Sequence, residues 1–259
     1  MQPSSPRDPN WNAESLRLTV FPSPTFQLKD EGWWRKLTGS DPESQTARPH
    51  RGELVVAGPF EGNALTLNVQ PGRIDWILGP DTSKDPSPSD GVYAIGLFDD
   101  KIGVFADLVS GWLTECPPTS RIAFGGVLLE VVENRQRGYR RIAEYLHAVK
   151  IDPDGSEDFF YQINRPRSSH VVKNMRLNRL SKWSVAAFQA VSIAMMMQQA
   201  SQPPLTYTQG AQPVSACRLE LDLSTEAGRQ DVLSHDCLRP ALGELISLGA
   251  EIAKLGDVS

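Results

Sequence analysis

The stretch Ala64 to Leu78 constrains the fold more than any other part of the chain. Leu65, Leu67 and Val69 alternate with Thr66, Asn68 and Gln70; after Pro71-Gly72, Ile74, Trp76 and Leu78 alternate with Asp75 and Ile77. Successive strand side chains point to opposite faces, so a period of two reads as two half-buried strands joined by a turn. Setting Leu67 opposite Trp76 and Leu65 opposite Leu78 gathers the apolar side chains on one face. A slip of one residue would turn that set out to solvent, so the register is strongly specified. An L-proline opening a two-residue loop has the wrong twist for a hairpin, which favours a four-residue loop from Gln70 to Arg73.

The 20 prolines concentrate in polar segments. Residues 1–15, 38–52, 79–91 and 200–215 read as a tail and loops, because proline fixes φ and lacks the N–H that regular elements need. Between them, residues 92–132 read as further strands (VYAIGLF, KIGVFADLV, RIAFGGVLLEVV), with Asp99-Asp100 as a hairpin turn. Tyr139, Ile142, Leu146 and Val149 then recur at helical spacing, which predicts an amphipathic helix over 135–149. The second half repeats this order: strands over 158–167, 175–188 and 218–223, then a helix carrying Leu238, Leu242, Leu245, Leu248, Ile252 and Leu255. Residues 185–199 read as strand passing into helix. The expected class is α+β, with antiparallel-rich sheets each covered by an amphipathic helix, in two related lobes (16–152 and 153–259) after a flexible tail over 1–15. One mixed sheet carrying both helices is the alternative.

At 259 residues, such a chain buries a core without disulfide or metal staples. The most apolar stretch, 185–197, is too short to span a bilayer and holds Gln189 and Ser192. Three scattered cysteines (Cys116, Cys217, Cys237) and no charged, then apolar, opening point to a cytoplasmic protein. No P-loop, dinucleotide fingerprint, nucleophile elbow or paired C-x-x-C motif occurs. Nothing in the sequence requires a cofactor.

One charge anomaly stands out. Residues 161–183 hold Arg165, Arg167, Lys173, Arg176, Arg179 and Lys182 with no Asp or Glu; this +6 leaves the rest of the chain at −11. If 158–167 and 175–188 form a hairpin, its like charges repel across the strands and something must compensate them. Carboxylates from elsewhere in the chain would serve; so would an anion held by arginine forks, whether a small ligand or an acidic protein partner. Tyr161 and Trp183 flank the segment and could stack on bases, which raises nucleic acid as an alternative that the acidic chain as a whole disfavours. A third reading is an enzyme holding an anionic substrate between the lobes. His170 reads as a turn residue. Trp33-Trp34 either anchors a short helix or marks a protein interface. His235-Asp236-Cys237, with Cys217, reads as a helix entrance capped by Asp236 rather than a zinc site. A second basic group, Arg135, Arg137, Arg140 and Arg141, has Glu133 and Glu144 beside it and reads as a solvated helix face. The leading expectation is a non-enzymatic binding protein that uses the Arg-rich hairpin.

Overall fold

The structure, a computed structural model, describes residues 9–26, 32–83, 91–188, 214–228 and 231–258. Its strands are β1 (Asn12–Pro22), β2 (Ser44–Arg48), β3 (Glu53–Phe60), β4 (Asn63–Gln70), β5 (Arg73–Gly79), β6 (Gly96–Leu97), β7 (Thr119–Val132), β8 (Phe160–Asn164), β9 (Arg167–Ser168), β10 (Arg176–Phe188) and β11 (Val214–Thr225). Its helices are α1 (Trp33–Thr38), α2 (Phe98–Trp112), α3 (Arg135–Tyr145) and α4 (His235–Leu255).

All the strands join one antiparallel sheet in the order β2-β3-β4-β5-β1-β7-β11-β10-β8, with β6 beside β1 and β9 beside β10. This overturns the expectation of separate sheets each covered by its own helix. The decisive pairing is β11 with β7, from Ser215 opposite Val132 to Ser224 opposite Ala123, which runs straight across the expected lobe boundary near residue 153. Sequence separation hides such pairing, because each strand's pattern reports which face is buried and not which neighbour satisfies its backbone groups. Residues 12–15, read with the tail, open β1 at the centre of the sheet.

The hairpin register is the expected one, Leu65 opposite Leu78 and Leu67 opposite Trp76. The turn is tighter than expected: Gln70 pairs with Arg73, and Pro71 and Gly72 alone make the corner, Gly72 at φ 74°. That positive φ after a proline suits a type II turn, which glycine enters at no steric cost. KIGVFADLV is helical rather than extended. Its buried Phe98, Phe105, Val109 and Trp112 fall on one stripe of α2, and Asp99 and Asp100 lie in the first turn, where carboxylates complement the exposed N–H groups.

One face of the sheet is apolar and carries the helices. Leu16, Leu18, Val20, Trp76, Phe124, Trp183, Leu219 and Leu223 are fully buried there. Gly249 of α4 lies where a Cβ would come 3.1 Å from Phe124 and 3.4 Å from Leu221, and the Gly138 carbonyl of α3 accepts from Cys217 Sγ at 3.4 Å. Cys217, Leu221 and Leu223 share one face of β11, so both helices lie on the same side. α2 packs beside α4 over β1, and α1 leans on α2. The opposite face displays Arg17, Thr19, Asp75, Arg218, Glu220, Asp222 and Lys182 by strand alternation.

Candidate anion site

Three arginines of the basic segment meet where α4 ends. Arg179 is on β10 opposite Leu223, on the helix-bearing face, and its backbone N–H donates to Asn164 Oδ1 at 2.9 Å. Arg165 lies between β8 and β9 and Arg167 opens β9, which pairs with the start of β10. Facing them is a line of carboxylates. Glu244 and Glu251 stand seven residues apart on α4, two helical turns and so one face. Beyond the helix end at Gly256, the Asp257 N–H donates to the Tyr145 carbonyl at 3.1 Å and turns the Asp257 side chain inward.

Arg165 grips Asp257 through Nε and Nη2, the latter at 2.8 Å, and Tyr161 donates its hydroxyl to the same carboxylate at 2.9 Å. Arg167 forks onto Glu251 at 3.1 and 3.4 Å. The hairpin turn is tied down by Glu244, which accepts from the Ser169 hydroxyl and from the His170 N–H at 2.7 Å. Arg179 is different. Its side chain is 1% exposed, its Nη2 lies 3.6 Å from Glu251, already occupied by Arg167, and its Nε and Nη1 are buried with no acceptor among the described residues. Burial pushes the Arg179 pKa down, and the neighbouring Arg167 adds to that. Asp257 also lies below its ordinary range, but there the hydrogen bond from Arg165 favours the charged form. Glu244 is committed to Ser169 and His170, so the three guanidiniums face two paired carboxylates, Glu251 and Asp257, and outnumber them by one.

The other predicted cations fall elsewhere. Lys182 is on the opposite face, 3.3 Å from Glu220. Arg176 and Lys173 are exposed, one opening β10 and the other in the turn before it. Tyr161 uses its hydroxyl on Asp257, and Trp183 is fully buried, its ring 5.3 Å from Tyr145 and 6.2 Å from Trp11. Trp33 and Trp34 are buried too, one edge-on to Trp112 and the other stacked on Trp76. On α3, Arg141 meets Glu130 and Glu144, while Arg135 and Arg140 reach Glu157 and Asp154. Ser234, not Asp236, occupies the cap position of α4; Asp236 lies in its first turn. His235 sits near the Leu113 carbonyl, and no group of three His, Cys, Asp or Glu among the described residues is placed to hold a metal ion. The continuation of 185–199 past Phe188 lies outside the described residues.

A second polar constellation escaped the reading of the sequence. On the sheet face opposite the helices, Asp75 accepts from Thr19 Oγ1 at 2.5 Å and from Arg73 at 2.7 and 3.1 Å. Arg17 lies flat on the backbone of Gly125, where a Cβ would come within 3.1 Å of Nη2. Arg218 reaches both Glu14 and Glu220. Single polar residues between apolar ones look like solvated positions in a sequence; only the register aligns Asp75, Thr19 and Arg17 on adjacent strands.

No protein family, curated protein or solved structure matches the chain. Among the described residues, no helix is long and apolar enough to cross a membrane.

Proposed function

We propose that the protein is a non-enzymatic binding protein that holds a small oxyanion, a phosphate or carboxylate, between Arg165, Arg167 and Arg179. One observation carries this reading: Arg179 is buried as the surplus cation of the cluster, with two N–H-bearing nitrogens unmatched. A buried charged donor without an acceptor costs more than a hydrogen bond returns, so such a group is normally matched. Arginine's rigid fork suits an oxyanion, and Arg165 and Arg167, at 35% and 29% side-chain exposure, form the approach to it. The arrangement supports a compact ligand over nucleic acid, since Trp183 has no free ring face and the phosphate contacts of a polymer need several open cations. It also supports a ligand over an enzyme's substrate, as the acids and hydroxyls beside the arginines among the described residues, Tyr161, Ser169, Glu244, Glu251 and Asp257, are already engaged with one another or with the arginines. A reducing, cytoplasmic setting accords with three unpaired cysteines.

The test is a thermal melt at constant ionic strength with increasing inorganic phosphate, or citrate as the carboxylate arm. A ligand at ten times its Kd adds about 1.4 kcal/mol, or about 3–5 °C for a chain of this size. That rise should saturate in the wild type and vanish in Arg179→Met. Absence of saturable stabilisation, or an equal rise in the variant, overturns the reading.

A further inference from the structure

A pocket lies far from the arginines in the fold. Strands β2 to β4 form the wing of the sheet, and α1, only six residues long, caps it incompletely. Between them is a pocket of about 520 Å³, walled by Trp33, Trp34, Leu54, Val56 and Leu67. Its size and apolar lining match small-molecule sites, which typically span about 300–1,000 Å³ and carry a few polar groups for orientation. Trp34 stacks on Trp76, Phe26 stacks on Trp33, and Trp112 meets both Trp76 and Trp33 edge-on, so the wall is fixed by its own neighbours and, at 5% exposure each, Trp33 and Trp34 offer ring edges rather than open faces. Gly58 keeps that wall low on the sheet, since a Cβ there would come 3.0 Å from Trp34 Cζ2.

Among the described residues, the polar side chains lining the pocket are Arg35, Lys36, Asp41 and Gln45, and the charged ones sum to +1. Arg35 pairs with Asp41, both side chains 72% exposed, and Lys36 pairs with Glu115 at 54% and 52% exposure. Such surface pairs contribute about 0–1 kcal/mol, so Arg35 can turn to another acid at little cost. The geometry points to a site for a flat aromatic acid: the ring system lies against Trp33, Trp34 and the Leu54–Val56–Leu67 floor, and its acid group faces Arg35 and Lys36. Aromatic pairing adds about 0.5–1.5 kcal/mol beyond burial alone, which favours a ring over an alkyl chain of equal area.

The experiment uses anilinonaphthalene sulfonate, an aromatic acid, with tryptophan emission and probe emission read together. The full chain should bind one probe saturably and lose part of its tryptophan emission. Gln45→Trp fills the pocket from an exposed position of the edge strand β2 and should weaken binding at least tenfold with the melting temperature unchanged. Arg35→Glu with Lys36→Glu should weaken the sulfonate at least tenfold and leave a neutral anilinonaphthalene within twofold. Arg165→Ala with Arg167→Ala should leave the affinity for the probe within twofold of the wild type, which separates this site from the oxyanion cluster. The inference is overturned if the wild type shows no saturable binding, if Gln45→Trp binds as well as the wild type, or if the Arg165/Arg167 variant is the one that loses the probe.

Discussion

Replacing Glu251 with glutamine tests the account of Arg179 most directly. Glutamine keeps the shape and removes the charge that Arg167 and the 1% exposed Arg179 share. Removing one partner of a fully buried pair costs about 3–5 kcal/mol, because the other charge is left uncompensated. Glu251 is itself 30% exposed, so solvent screens part of this and about 2–3 kcal/mol is expected. With a urea slope of about 3 kcal/mol per molar for a chain of this length, the unfolding midpoint should fall by about 1 M. Arg179→Met should behave oppositely. It removes a charge with unmatched donors and replaces it with an apolar chain of similar length, so stability should hold or rise. In the Arg179→Met background, Glu251→Gln should then cost under about 1 kcal/mol, the remainder being the partly exposed Arg167 pair. Equilibrium urea unfolding of the four proteins, in a chloride buffer free of multivalent anions, closes the cycle. A midpoint shift below about 0.2 M for Glu251→Gln alone, or the same loss in both backgrounds, would refute the reasoning, since Glu251 would then not be compensating Arg179.

Three further outcomes are expected. Asp257 has its pKa depressed in the folded chain by Arg165, so its contribution is present in full above the unfolded carboxylate value of about 4 and is lost as pH falls through the folded value. The melting-temperature gap between wild type and Asp257→Asn should therefore be constant above about pH 5 and close below pH 4; a gap that widens on acidification would contradict this. Gly138→Ala on α3 places a Cβ 2.8 Å from both methyls of Val185, which should cost about 1–3 kcal/mol in urea unfolding and be relieved by adding Val185→Ala. Burial pushes the thiols of Cys116 and Cys217 up to about 11 and 12, so iodoacetamide at pH 8 should label no more than one of the three cysteines in the folded chain and all three in denaturant, read by intact mass.

Elements whose periodicity is strong and local can be read from the residues alone. The Leu65/Leu78 and Leu67/Trp76 register, β7, α3 and α4 were all legible, because each depends on residues within one turn or one hairpin. The second strand of the expected 92–132 run misled because Phe105, Val109 and Trp112 sit among other apolar residues, where a buried helix and a buried strand look alike. Only the tertiary structure decided that β11 enters between β7 and β10, making one sheet of what reads as two repeats. It also decided what surrounds the basic segment. The excess of arginine was visible as composition, but Glu251 and Asp257 come from more than seventy residues further along the chain and meet Arg167 and Arg165 only because α4 lies across β10. The aromatic pocket was hidden in the same way, its walls being split between α1, β3 and β4. Charge and hydropathy are written residue by residue, whereas the neutralisation of a charge depends on which distant group the fold brings within a few ångströms of it.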